Sequence, residues 1–241
     1  MEINTYIFIA CVVVCVALAV LFIVIRAKNG ACVRCVMAKT IASFAFVMTG
    51  AYALTGFASN MGNFIFILLG LICGLVGDIL LELKVVYKDD ANIYLPYGML
   101  AFGLGHILYF TAINLILDTQ NIETTVPFII AVGIACVGTI LIIALSKKVM
   151  KLDFGEFFVH SAIYTFILIF VTAFAIILSF SMPSLFIMAG GLLAILISDM
   201  VLSMQYFGGK EDSKLLHILN HSIYYLGQIL IAVFIFCYAI I

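Results

Sequence analysis

The chain has 241 residues, of which 66% are hydrophobic and 10% charged, with a net charge of −1 and a mean hydropathy of +1.34. Soluble domains run nearer half apolar and a quarter charged, so a water-soluble globular enzyme is excluded. The near-zero net charge also argues against a nucleic-acid partner, which calls for a basic face.

A hydrocarbon core about 30 Å thick is crossed by roughly 20 residues of helix. Apolar stretches of that length predict an all-α, polytopic membrane protein of eight transmembrane helices, in one integral membrane domain. They fall near 4–25, 37–57, 62–83, 93–116, 125–146, 156–180, 183–206 and 215–240. The first stretch is preceded by Glu2 with no Lys or Arg, and its apolar run is too long for a cleaved signal peptide, so it is expected to stay as an anchor. All basic residues follow odd-numbered spans: Arg26, Lys28, Arg34 and Lys39; Lys84 and Lys88; Lys147, Lys148 and Lys151; Lys210 and Lys214. The even connections, around Asn60, 118–123 and 181–184, hold none. The positive-inside bias therefore places the odd connections in the cytoplasm and both termini outside.

Of the seven cysteines, Cys11, Cys15, Cys73 and Cys237 lie in apolar runs, where they act as small hydrophobes, and the odd number implies no disulfide framework. Cys32 and Cys35 form a lone C-x-x-C without a second ligand pair, so no metal site is expected there.

A repeat links the third and fourth spans to the seventh and eighth. G-D-I-L-L at 77–81 is followed, 28 residues after its Asp, by the His of L-G-H-I-L at 104–108; S-D-M-V-L at 198–202 is followed, 29 residues after its Asp, by the Gln of L-G-Q-I-L at 226–230. An offset of four spans gives both copies the same orientation, which predicts two parallel four-helix halves about an axis along the membrane normal. Gly70, Gly74 and Gly77 are spaced to let helices approach closely.

Asp78 and Asp199, equivalent in the repeat, are the most informative residues. A carboxylate inside a span costs at least about 2.5–3.5 kcal/mol, and nothing in helix packing requires it. Each sits on the order of 10 Å below the cytoplasmic surface at 1.5 Å per residue, so the pair is expected across a shared cavity. Other polar residues reach that depth from the even spans: His106, Tyr109 and Asn114 in the fourth; Glu156, His160 and Tyr164 at helical spacing in the sixth; His217, His221, Tyr224 and Gln228 on one face of the eighth. Glu82 lies one turn beyond Asp78, as a cavity-mouth residue or a solvated charge, and Arg34 and Lys39, at the cytoplasmic entry of the second span, are either the positive-inside signal itself or a clamp for a lipid phosphate.

Together, G-D-I-L-L, the G-M-L-A-F-G-L-G-H-I-L-Y run at 98–109, S-D-M-V-L-S at 198–203 and Y-Y-L-G-Q-I-L-I at 224–231 resemble the YhhN family, which includes lysoplasmalogenases. The resemblance runs from about Lys39 to the C-terminus. It implies an eight-helix membrane protein and, as activity, hydrolysis of the vinyl-ether bond of a lysoplasmalogen to a fatty aldehyde and glycerophospho-ethanolamine or -choline. Its pattern marks Lys39, Asp78, His106, Tyr109, Tyr164, Asp199, Tyr224, Tyr225 and Gln228. Thr40 stands where the family usually has a Pro after the Lys.

That reaction needs an acid to protonate the carbon beta to the ether oxygen and a negative group to stabilise the oxocarbenium ion and activate water. Paired carboxylates divide such roles in glycoside hydrolysis. Asp78 and Asp199 are accordingly expected as the catalytic acid/base pair. Lys39, Glu82, His106, Tyr109, Tyr164, Tyr224, Tyr225 and Gln228 are expected around the substrate. No metal or cofactor is expected, because a proton triggers the chemistry. The expected partners are a lysophospholipid substrate, membrane lipid and a second copy in a homodimer. A lipid or small-solute transporter, for which parallel repeats and intramembrane acids are equally natural, is the competing class; a lipid-sensing protein without catalysis is the third.

Overall fold

The computed structural model describes residues 2–57, 61–211 and 213–240, and these form helices joined by turns and short irregular connections. Eight helices are long and apolar enough to cross a membrane among the described residues. They are α1 (Glu2–Asn29), α2 (Val33–Phe57), α3 (Met61–Val86), α4 (Ala91–Thr119), α5 (Thr125–Lys148), α6 (Phe158–Ser179), α7 (Leu185–Tyr206) and α8 (Lys214–Ile240). Several run a few residues past the apolar stretches, because backbone bonding continues into the polar interface after hydrophobicity has faded. α1 stops at Gly30, whose φ of +68° takes the left-handed conformation that closes a helix cheaply only in glycine, and its N–H reaches the Arg26 carbonyl at 3.0 Å. Short 3-10 turns at Lys88–Asp90 and Gly155–Phe157 lead into α4 and α6.

α3 pairs with α4 and α7 with α8; α2 lies against α3 and α8, α6 against α4 and α7, α1 against α2 and α8, and α5 against α6. The connections that carry the basic residues are tied together at one end. Arg26 of α1 pairs with Glu82 of α3, Lys84 of α3 with Glu211 after α7, and the Asp153 N–H donates to the Phe207 carbonyl. At the other end Phe8 packs on Phe57 and Phe236, and Gln120 donates to Tyr238. The connection around Asn60 lies outside the described residues.

Two glycine contacts set the helix pairs that carry the aspartates. A Cβ on Gly105 would stand 3.0 Å from the Gly70 carbonyl oxygen, and one on Gly191 only 2.8 Å from that of Gly227. These positions match in the repeat: Gly70 and Gly191 each precede the Asp of their helix by eight residues, and Gly105 and Gly227 directly precede His106 and Gln228. The likeness concerns these four helices and says nothing of α1, α2, α5 and α6.

Candidate active site

Asp78 of α3 sits in a closed polar cluster. Its Oδ2 accepts from Ser43 of α2 at 2.6 Å and from Tyr224 of α8 at 2.7 Å, while Lys39 Nζ lies 3.4 Å from Oδ1. Lys39 also faces Glu82 Oε2 at 3.7 Å, and Arg26 Nε meets Glu82 Oε1 at 2.9 Å. All four charged side chains are at least nine-tenths buried. Two cations thus balance two carboxylates, which is what makes so much charge tolerable away from water. The next layer is neutral: Gln228 Nε2 donates to Tyr224 Oη at 3.1 Å, Tyr109 Oη donates to Gln228 Oε1 at 3.4 Å, and Tyr225 Oη lies 3.1 Å from Ser43 Oγ.

Asp199 of α7 has different company. Tyr164 of α6 donates a short hydrogen bond to its Oδ2, and no lysine or arginine among the described residues is ion-paired with it. His106 Nε2 lies 3.5 Å from the same phenolic oxygen. Because the single phenolic proton points to Asp199, this contact has Nε2–H donating to Tyr164, which leaves Nδ1 as a bare acceptor. Nδ1 is buried and has no hydrogen-bond partner among the described residues. The α7–α8 seam is braced alongside, where Asn220 Nδ2 donates to the Ser198 carbonyl at 2.7 Å.

The two carboxyl groups also differ in access. Asp199 and Tyr164 are half-buried and line a cleft of about 90 Å³, walled by α3, α4, α5, α6 and α7. That volume holds a few waters or a segment of chain. Its wall is largely aliphatic and aromatic, including Leu81, Met99, Phe102, Ile142 and Leu196, with no Lys or Arg. Asp78 is 2% exposed and does not line the cleft. Phe102 stands between them, its ring against Gly77, 6.0 Å from the Tyr224 ring, and in the cleft wall.

Of the residues singled out from the sequence, Lys39, Asp78, Glu82, Tyr109, Tyr224, Tyr225 and Gln228 meet in the first cluster, and His106, Tyr164 and Asp199 in the second. Lys39 is 4% exposed and acts here as a counter-ion. Glu156 and His160 are exposed. His217 bonds the Glu211 carbonyl at the basic end, and Asn114 bonds its own helix at Phe110. Ser43 and Arg26 were missed as site residues. Ser43 follows Lys39 by one helical turn on the same face, a signal that could have found it.

Neither a curated protein nor a solved structure matches the chain. The model of the YhhN family matches residues 41–235, a stretch that holds both aspartates, Ser43, His106, Tyr164 and Gln228 and begins just after Lys39. The chain belongs to the YhhN family.

Proposed function

We propose that the protein is a membrane-embedded lysoplasmalogenase that cleaves the vinyl-ether bond of an alkenyl glycerophospholipid lacking its second acyl chain, by aspartate acid/base catalysis. The observation that carries this reading is the cleft of about 90 Å³, largely apolar, with a carboxyl group and a phenol on its wall. Family membership is compatible with it. The basic end is taken as cytoplasmic, with both termini outside and the chemistry toward the cytoplasmic leaflet.

The environments of the two aspartates suggest how the work divides. Asp78, with Lys39 beside it and two hydroxyl donors on Oδ2, is suited to remain a carboxylate. Asp199, with a phenol and no ion-paired cation among the described residues, is suited to carry a proton on Oδ1 while Tyr164 steadies Oδ2. In the proposed reaction the Asp199 proton goes to the carbon beta to the ether oxygen, and the double-bond pair forms the new C–H bond. The resulting oxocarbenium ion is stabilised by negative charge in the site. Water adds to the cationic carbon and loses its proton to the Asp199 carboxylate. The hemiacetal then collapses, its hydroxyl proton leaving as the carbon–oxygen bond to glycerol breaks and the glycerol oxygen is protonated. His106 Nδ1, unpartnered and buried, is an acceptor for ordering a water, and Gln228 and Tyr224 hold the Asp78 side of the site.

The test is fatty-aldehyde release from lysoplasmalogen by the purified protein in detergent, compared with Asp78→Asn and Asp199→Asn at equal folded fraction. Asp199→Asn is expected to remove activity without unfolding the protein. Release unaffected by either change removes the pair as catalyst, and no release from folded wild type favours transport or sensing.

A further inference from the structure

Several polar side chains on the cleft wall take no part in the chemistry above, among them Ser146, Thr165, Ser203 and Tyr206, and one more, Ser161, has a buried hydroxyl left without a bond. Ser161 of α6 is 8% exposed, lines the cleft with Tyr164 and Asp199, and its Oγ is buried without a hydrogen-bond partner among the described residues. Several hydroxyls inside the helices bond back to the carbonyl four residues earlier, as do Thr40, Thr49, Thr111, Thr172 and Ser179, at 2.7–3.0 Å; Ser161, like Thr139 and Ser198, does not, and of these three it alone lines the cleft. The residue four before Ser161 is Phe157, which ends the 3-10 turn ahead of α6 and is not part of the helix. A buried hydroxyl without a partner carries an unrepaid desolvation cost, which a ligand removes when it supplies the missing bond.

Ser161 precedes Tyr164 by three residues, so the two are separated by about 4.5 Å along the axis of α6. In an alkenyl lysolipid, five bonds of about 1.5 Å separate the carbon to be protonated from the free 2-hydroxyl, about 6 Å when extended. With the vinyl carbon at Asp199, the 2-hydroxyl therefore falls about one helical turn away. We propose that Ser161 binds the free 2-hydroxyl of the glycerol backbone and so selects lipids that lack an acyl group at that position. This rests on the hydrolase reading. The 2-hydroxyl can both donate to and accept from Ser161 Oγ, whereas an ester there has no donor to offer.

The experiment compares wild type and Ser161→Ala on an alkenyl lysolipid and on its 2-deoxy analogue. For the lysolipid, Ser161→Ala is expected to lower kcat/KM about tenfold, the worth of one hydrogen bond; for the 2-deoxy analogue it changes nothing. Ser161→Cys, which keeps the volume and weakens the bond, is expected to show the same substrate-dependent loss and guards against a folding defect in the alanine variant. Equal loss on both lipids, or none on either, overturns the assignment. If wild type releases no aldehyde, the hydrolase reading fails by itself. Binding of the saturated 1-alkyl lysolipid against its 2-deoxy form then decides the role of Ser161. A preference for the hydroxyl that Ser161→Ala abolishes sustains it, and equal binding overturns it.

Discussion

Lys39 Nζ stands 3.4 Å from Asp78 Oδ1, with the two side chains 5% and 2% exposed. The pair joins α2 to α3, and Arg26–Glu82 extends it to α1. Removing one partner of a buried ion pair strands the other charge, at a cost of about 3–5 kcal/mol. Lys39→Met and Asp78→Asn are each expected to destabilise by that order, and the double variant to recover part of the loss. Denaturant unfolding in detergent measures this. Strict additivity of the two changes would show that the residues do not depend on each other.

Tyr164→Phe separates positioning from packing. The ring stays and only the hydroxyl that bonds Asp199 is lost. A hydrogen bond to a charged or reacting group is worth about 1.5–3 kcal/mol, so kcat for aldehyde release is expected to fall about tenfold to a hundredfold, with KM nearly unchanged. Initial rates over a range of lysolipid concentrations give the split. A rise in KM with kcat preserved would place the phenol in substrate binding instead.

The eight helices were legible because apolar runs of the right length have one stable form in a bilayer, and the aspartates because a carboxylate at that depth is costly. The fine division of the site was less so. From sequence, Asp78 and Asp199 look alike, since the repeat gives them matching helices. Their difference lies in what the other helices bring: Lys39 and Ser43 to one, Tyr164 to the other. Arg26 reads as one more interfacial cation, and only the approach of α1 to α3 makes it the partner of Glu82. The stripe Glu156, His160 and Tyr164 assumes an unbroken helix. The 3-10 turn at Gly155–Phe157 interrupts it, and Glu156 and His160 stay exposed while Tyr164 turns inward.

Neighbouring glycines of α7 give an internal control on helix approach. A Cβ on Gly191 meets the Gly227 carbonyl oxygen at 2.8 Å and the Ile231 side chain at 2.9 Å, whereas one on Gly190 meets nothing within 4 Å. Gly191→Ala is expected to push α7 from α8 and cost about 1–3 kcal/mol. Gly190→Ala is expected to be neutral or to stabilise by up to about 1 kcal/mol through helix propensity. Thermal unfolding of the two variants side by side distinguishes them. Equal destabilisation would mean that the close approach of Gly191 to Gly227 has no special weight.

Cys32 and Cys35 provide a test outside the site. Their sulfurs lie 3.2 Å apart, and Cys35 Sγ also donates to the Gly30 carbonyl at 3.1 Å. Cys32 lies in the short connection before α2, outside the spanning segments. Its thiol pKa is lowered chiefly by the side-chain hydrogen bond with Cys35; burial opposes this, and backbone N–H groups of Cys35 and Arg34 and the charge of Arg26 add to the lowering. A lowered pKa means that, as pH rises, the reactive thiolate of Cys32 appears at lower pH than an ordinary thiol's. Alkylation by iodoacetamide, followed peptide by peptide by mass spectrometry, is therefore expected to reach its plateau at lower pH for Cys32 in wild type than in Cys35→Ala. When Cys32 ionises, the Cys35 S–H turns from the Gly30 carbonyl to the thiolate; removing the Cys35 thiol takes away that hydrogen bond, so the midpoint moves up toward the ordinary cysteine value. An unmoved midpoint would assign the shift to the helix N–H groups and Arg26, and a Cys32 no more reactive at neutral pH than an ordinary thiol would contradict the lowering itself.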